Sequence, residues 1–96
     1  MTRLVVSDAA RADLRAIRSY TERKWGLSRR DQYVAAIEDR FKLLRQRPGI
    51  GAIRQDLAVG LRCFAVGRHL ILYRYEDETV EVVRILHQQM DVRFHL

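Results

Sequence analysis

Apolar residues recur at steps of three and four along the first half of the chain and at steps of two along the second, so a helical half precedes a strand half. The short run RLVVS, residues 3–7, reads as a strand, and Ser7 or Asp8 supplies the side-chain oxygen that opens a helix. Ala10, Leu14, Ile17 and Thr21 lay one moderately apolar stripe along that helix, which ends near Trp25, where Gly26 accepts a left-handed stop. Ser28 is placed to open a second helix, with Asp31 in a capping-box position, and Val34, Ile37, Phe41 and Leu44 carry its stripe. A connection as short as WGLS folds the two helices back on each other as an antiparallel hairpin. Pro48, Gly49 and Gly51 end it. Residues 49–60 hold no sustained period and predict a loop, with a brief turn of structure at most near residues 53–57.

LRCFAV (61–66), HLILYRY (69–75) and VEVVRIL (80–86) are rich in β-branched and aromatic residues and predict three antiparallel strands. If the second turn closes around Asp77 and Glu78, Tyr75 stands opposite Val80, Tyr73 opposite Val82 and Ile71 opposite Arg84. One face then carries Leu70, Leu72, Val83 and Ile85, with Arg74 and Glu81 as an ion pair, and is expected beneath the helices. The other carries His69, Ile71, Tyr73, Tyr75, Val80, Val82, Arg84 and Leu86. That set is too apolar for a solvated face, so it predicts a partner-binding surface or a cover formed by the C-terminal tail. In the tail, Met90, Val92, Phe94 and Leu96 alternate with polar residues, as in a short strand. The expected fold is α+β: a short N-terminal strand and an antiparallel αα-hairpin packed on a small antiparallel β-sheet, in one domain over residues 1–96.

Composition narrows the function. The longest apolar stretches fall far short of the roughly twenty residues that span a bilayer, so a cytoplasmic protein with no membrane association is expected. Cys63 stands alone, which predicts a small core residue and no metal site. Residues 1–50 hold 12 Arg/Lys against 6 Asp/Glu and residues 51–96 hold 6 against 6, so the surplus of +6 sits in the helical half and suggests an acidic partner. Only Lys24 and Lys42 are lysines among the 18 cations, and neither lies in the strand half.

The segments YTERKWGLSRRDQY, RQRPGIG, RHLILYR and VVRILHQQMD, in that layout, resemble the ParE branch of the RelE/ParE superfamily of toxin–antitoxin toxins. The resemblance covers nearly the whole chain. It implies a toxin held inactive by a ParD-type antitoxin, in a hetero-oligomer of heterotetramer size or larger. Operator DNA would be bound only through the antitoxin, and the free toxin would inhibit DNA gyrase. It also implies a gyrase-directed role for the C-terminal region, which falls on Met90 and Asp91.

RelE-type relatives of the superfamily cleave mRNA on the ribosome, a reaction that needs a proton acceptor, a proton donor and cations for the phosphate. The strand half offers Arg62, Arg68, Arg74 and Arg84 but no lysine, and arginine stays protonated. The remaining acid–base candidates are His69 and His87, with Asp56 as a carboxylate, and an unbroken strand would aim the two histidines to opposite faces. A non-enzymatic toxin without cofactor is therefore expected, with ribonuclease and an inactive antitoxin-binding module as rivals. Antitoxin contacts are expected at Arg29, Arg30, Arg62, Phe64, Arg68, His69, Ile71, Tyr73 and Arg84: apolar anchors beside Ile71 and Tyr73, and carboxylates on Arg68 and Arg84. Trp25 and Tyr33 are expected to close the core at the helical turn, and Tyr20 to be half-buried.

Overall fold

Ser7 sets the geometry of the helical half. Its hydroxyl accepts the Ala10 N–H (3.0 Å) and donates to the Val83 carbonyl (2.7 Å), so one side chain caps a helix and ties it to a distant strand. The computed structural model describes residues 2–96. Strand β1 (Arg3–Val6) leads into α1 (Asp8–Trp25) and α2 (Leu27–Gln46), followed by β2 (Ala52–Ile53), β3 (Leu61–Val66), β4 (His69–Glu76), β5 (Thr79–His87) and a 3-10 turn at Val92–Phe94. Gly26, at φ +90°, is the whole connection between the helices: its N–H closes α1 on Glu22 and its carbonyl opens α2 on Arg30. Leu27 is therefore already helical, and Ser28 falls inside the first turn instead of capping it.

The sheet has five strands in the order β1-β5-β4-β3-β2 and is mixed, since β1 runs parallel to β5 while the other pairs are antiparallel. Residues 52–53, expected in a loop, add a short edge strand to β3. Asp77 and Glu78 both adopt positive φ (51° and 56°), the two-residue turn that matches strand twist. Tyr75 opposite Val80, Arg74 opposite Glu81 and Tyr73 opposite Val82 follow the expected register. Among the described residues, however, ion pairs form at Arg30, Arg54, Arg84 and Arg93, and Arg74 is not one of them.

Beyond Tyr73 the register slips. β5 carries one extra residue, so Leu72 faces Arg84 and Ile71 faces Ile85, and Val83 is the unpaired residue of a bulge. Along β4 and the first half of β5 the faces are reversed from expectation, whereas past the bulge Ile85 lies beneath the helices and Leu86 on the other face, as expected. Ile71, Tyr73, Val80, Val82 and Ile85 lie beneath the helices, packed with Ala10, Ile17, Ile37 and Leu44, while Leu61, Leu72 and Leu86 on the opposite face are closed over by Leu57, Ala58 and Val92. The tail does fold over the face turned away from the helices, where Val92 covers Leu61, Leu72 and Leu86 instead of Ile71 and Tyr73. Tyr73 explains the choice: its hydroxyl donates to the Pro48 carbonyl and accepts the Gly51 N–H, both at 2.8 Å, so a phenol that reads as a surface group is fully satisfied inside. A Cβ on Gly51 would come within 2.6 Å of that hydroxyl.

Candidate functional site

Past the bulge, α1 and the end of β5 stand apart and leave a groove of about 320 Å³. Asp13, Ala16, Ile17 and Tyr20, at helical spacing, form one wall, and His69, Ile85, Leu86, His87 and Met90 form the other. Apart from Asp13, the histidines and the tyrosine rim, the lining is aliphatic or thioether, suited to receive apolar side chains.

At one end of the groove the bulge sets His69 directly opposite His87, with ring centroids 5.3 Å apart in an edge-to-face arrangement. This corrects the expectation that the two histidines point to opposite faces. The hydroxyl of Tyr33, from α2, lies 2.6 Å from His69 Nδ1, accepts the Arg68 N–H at 3.1 Å and stands 3.1 Å from the Val66 carbonyl. Gly67, at φ +54°, makes room: a Cβ there would come within 2.6 Å of the Tyr33 ring and hydroxyl. Burial lowers the pKa of His69, the neighbouring His87 lowers it further, and Asp13 acts weakly the other way. Burial likewise raises that of Tyr33. With both groups neutral, one proton holds Tyr33 Oη to Nδ1 in either tautomer. His87 Nδ1 accepts the Gln89 N–H (3.1 Å), which leaves Nε2 as its protonated nitrogen when neutral.

At the other end, Arg84 is already partnered. Its guanidinium makes a forked pair with Asp13 (Nε to Oδ2 and Nη2 to Oδ1, each 2.8 Å) and donates from Nη1 to the His95 carbonyl at 2.6 Å. Asp13 Oδ2 also accepts the Ile85 N–H at 2.9 Å, and the two side chains are only 22% and 14% exposed. The expected free anchor for a partner's carboxylate is thus filled from within the chain, by the Asp13 carboxylate that α1 holds against the strand at Ile85. A carboxylate on the inner flank of an amphipathic helix requires a cation, and Asp13, one turn before Ile17, was the sequence signal for this pair.

The remaining candidates divide by exposure. Ile71 and Tyr73 are fully buried, which removes them from any docking surface. Arg62 donates to the Gly49 and Gly51 carbonyls and holds the loop after α2. Phe64 is partly buried against the core beneath the guanidinium of Arg40. Arg30 is paired with Glu22 and Asp31, whereas Arg29 lies over the ring of Trp25. Arg68 is exposed at the β3–β4 turn, and Met90 is exposed at the groove rim. Asp91 pairs with Arg93 and caps the 3-10 turn. Tyr33 packs inward as expected, but Trp25 is 58% exposed and closes nothing. Among the described residues no group of three potential metal ligands forms, and no helix is long and apolar enough to cross a membrane.

Residues 4–92 match the model of the family described as ParE toxin of type II toxin–antitoxin system, parDE. The chain belongs to the ParE toxin family. Toxin ParE1 of Caulobacter vibrioides is 35% identical over 91 residues, which cover 95% of this chain and 94% of that protein. A chain of the chromosomal ParDE toxin–antitoxin system from P. aeruginosa superposes with a TM-score of 0.79 at 25% identity, over 91% of this chain and 96% of that one. A chain of the RelBE2 toxin–antitoxin complex from Mycobacterium tuberculosis gives a TM-score of 0.65 at 25% identity, over 90% and 96%. The two-helix, five-strand α+β architecture of this ParE-family chain is therefore the RelE/ParE fold.

Proposed function

We propose that this ParE-family toxin is neutralised by a ParD-type antitoxin whose acidic, amphipathic segment orders along the groove between α1 and the end of β5. The observation that carries the reading is the groove itself: about 320 Å³ of largely apolar lining, with the exposed Arg68 on the turn that abuts Tyr33 and His69. Apolar side chains of the segment enter beside Ala16, Ile85 and Met90, and its carboxylates meet Arg68. The complexes named for the structural neighbours support an antitoxin partner. Steering by the basic helical half makes association slow as salt rises, while the apolar contacts hold the complex. Ala16 is exposed on the groove wall, so Ala16→Trp fills the groove without disturbing the core. The expected outcome is at least about a hundredfold loss of antitoxin affinity, since filling a central pocket removes a hot spot; retained affinity places the antitoxin elsewhere.

Released in the cytoplasm, the toxin acts on DNA gyrase and arrests replication without a catalytic step of its own. The engagement of Arg84 by Asp13 supports a non-enzymatic role, since it withdraws from the site the strand cation best placed for a phosphate. One observation favours a second reading: the His69–His87 pair supplies two imidazoles side by side, as a ribonuclease requires. Expressing the toxin without its antitoxin separates the two. Inhibited supercoiling with intact mRNA is expected, and fragmented mRNA with normal supercoiling selects the ribonuclease.

A further inference from the structure

Arg11, Arg15 and Arg18 recur at steps of four and three, and seven residues further on the same strip of α1 ends at Trp25. At 3.6 residues per turn and 1.5 Å per residue these side chains line one ridge about 20 Å long. All four are exposed. The one carboxylate within the strip, Glu22, is occupied by Arg30 at 2.6 Å, and none of the three arginines has a carboxylate partner among the described residues. The ridge is therefore a run of uncompensated positive charge that leads to an exposed indole.

The indole is not packed against the core. Lys24 Nζ and the Arg29 guanidinium lie 5.7 and 5.6 Å from its centroid, both within cation–π range. We infer that this ridge binds single-stranded nucleic acid, with phosphates along Arg11, Arg15 and Arg18 and a base stacked on Trp25. Three observations favour a nucleic-acid strand over an acidic protein segment. The cations are spaced along a line, as a backbone with regular charge needs. The line ends on a flat aromatic surface, which every base can stack on and a carboxylate cannot use. A cation over an exposed ring is held less strongly than a stacked base, so a base displaces Lys24 or Arg29 from the indole. The ridge is separate from the groove assigned to the antitoxin.

Trp25 is the only tryptophan, so its emission reports directly on the site. The test titrates the purified chain into a labelled oligo-dT of about 15 nucleotides, following anisotropy and Trp25 emission together. Binding should quench Trp25, and log K should fall with log salt with a slope of about −2, as three engaged phosphates on a single strand give. Arg15→Glu with Arg18→Glu should weaken binding at least about tenfold and flatten that slope. Trp25→Ala should weaken it by about tenfold and leave the slope unchanged. All three positions are exposed, and circular dichroism of each variant checks the fold. Poly-glutamate of matched charge binding as tightly and quenching Trp25 as strongly would make the ridge a dock for acidic protein and overturn the inference. So would a double charge reversal that changes affinity by less than about twofold.

Discussion

The two halves of β5 obey different rules. From Thr79 to Val82 the strand has backbone partners on both sides, β1 parallel and β4 antiparallel, and its side chains alternate as the hydrophobic pattern dictates. From Val83 onward β1 is gone, and the open edge is met by side chains: Ser7 donates to the Val83 carbonyl and Asp13 accepts the Ile85 N–H. Backbone ladders enforce a period of two, but side-chain partners reach over a range of positions, so one extra residue fits and every later side chain changes face. The Asp13–Arg84 pair, the paired histidines and the groove all lie past that change.

The largest effect should come from breaking the side-chain edge. Asp13→Ala removes both carboxylate contacts of Arg84 and orphans the Ile85 N–H, leaving a half-buried cation without its partner. A loss of about 2–4 kcal/mol is expected, measured by denaturant unfolding. Amide exchange should accelerate at Ile85–His87 far more than at Val80–Val82; equal acceleration would mean the halves open as one unit. Tyr73→Phe probes the ladder-paired half instead. It deprives the Gly51 N–H and the Pro48 carbonyl of their shared partner and should cost about 1–2 kcal/mol, loosening residues 48–53 while leaving the exchange of Ile85–His87 unchanged.

The comparison also marks how far the sequence could be read. The helices, the three long strands and the register up to Tyr73–Val82 follow from periodicity and turn residues, because those elements are held by regular backbone pairing. The bulge is set by Ser7 and Asp13, 76 and 72 residues distant from the positions they bond. No local pattern around Val83 records it, so the expected register set Arg84 opposite Ile71 and Leu86 opposite His69, one residue out. Tyr73 was set on the outer face by alternation with Leu70 and Leu72, and the groups that satisfy its hydroxyl inside, the Pro48 carbonyl and the Gly51 N–H, lie 25 and 22 residues away in sequence. At the candidate site, Arg68 and Met90 were legible as exposed residues, whereas the groove and the His69–His87 pair exist only because of the bulge.

A smaller effect is expected at the β4–β5 turn, where the ladder-paired half begins. Asp77 and Glu78 both occupy left-handed backbone, which asparagine tolerates better than aspartate and glycine adopts without cost. Glu78→Gly should stabilise the chain by about 0.5–1 kcal/mol, less the entropy glycine adds to the unfolded state. The melting temperature should rise without any change in the exchange of Ile85–His87, and a fall would mean the glutamate side chain contributes more than its backbone costs.

Acidification should act on the other half and give the smallest effect. Burial and His87 hold the pKa of His69 in the folded chain below its ordinary 6.5, with Asp13 opposing only weakly. Between the lowered value and 6.5 the unfolded chain binds more protons, so stability is complete above about pH 7 and declines as pH falls through 6.5. Asp56 and Asp91, which Arg54 and Arg93 hold below the usual carboxylate range, titrate well under this window and do not confuse it. Protonated His69 still meets Tyr33, with Nδ1–H donating to the hydroxyl and the hydroxyl donating to the Val66 carbonyl, so the cost is that of a half-buried charge beside His87 and should loosen the end of β5 more than the β3–β4 turn. Urea midpoints measured at pH values on either side of 6.5 should fall on the acid side for the parent and stay level for His69→Gln. If the variant shows the same decline, the proton is taken up elsewhere and the burial of His69 is not its cause.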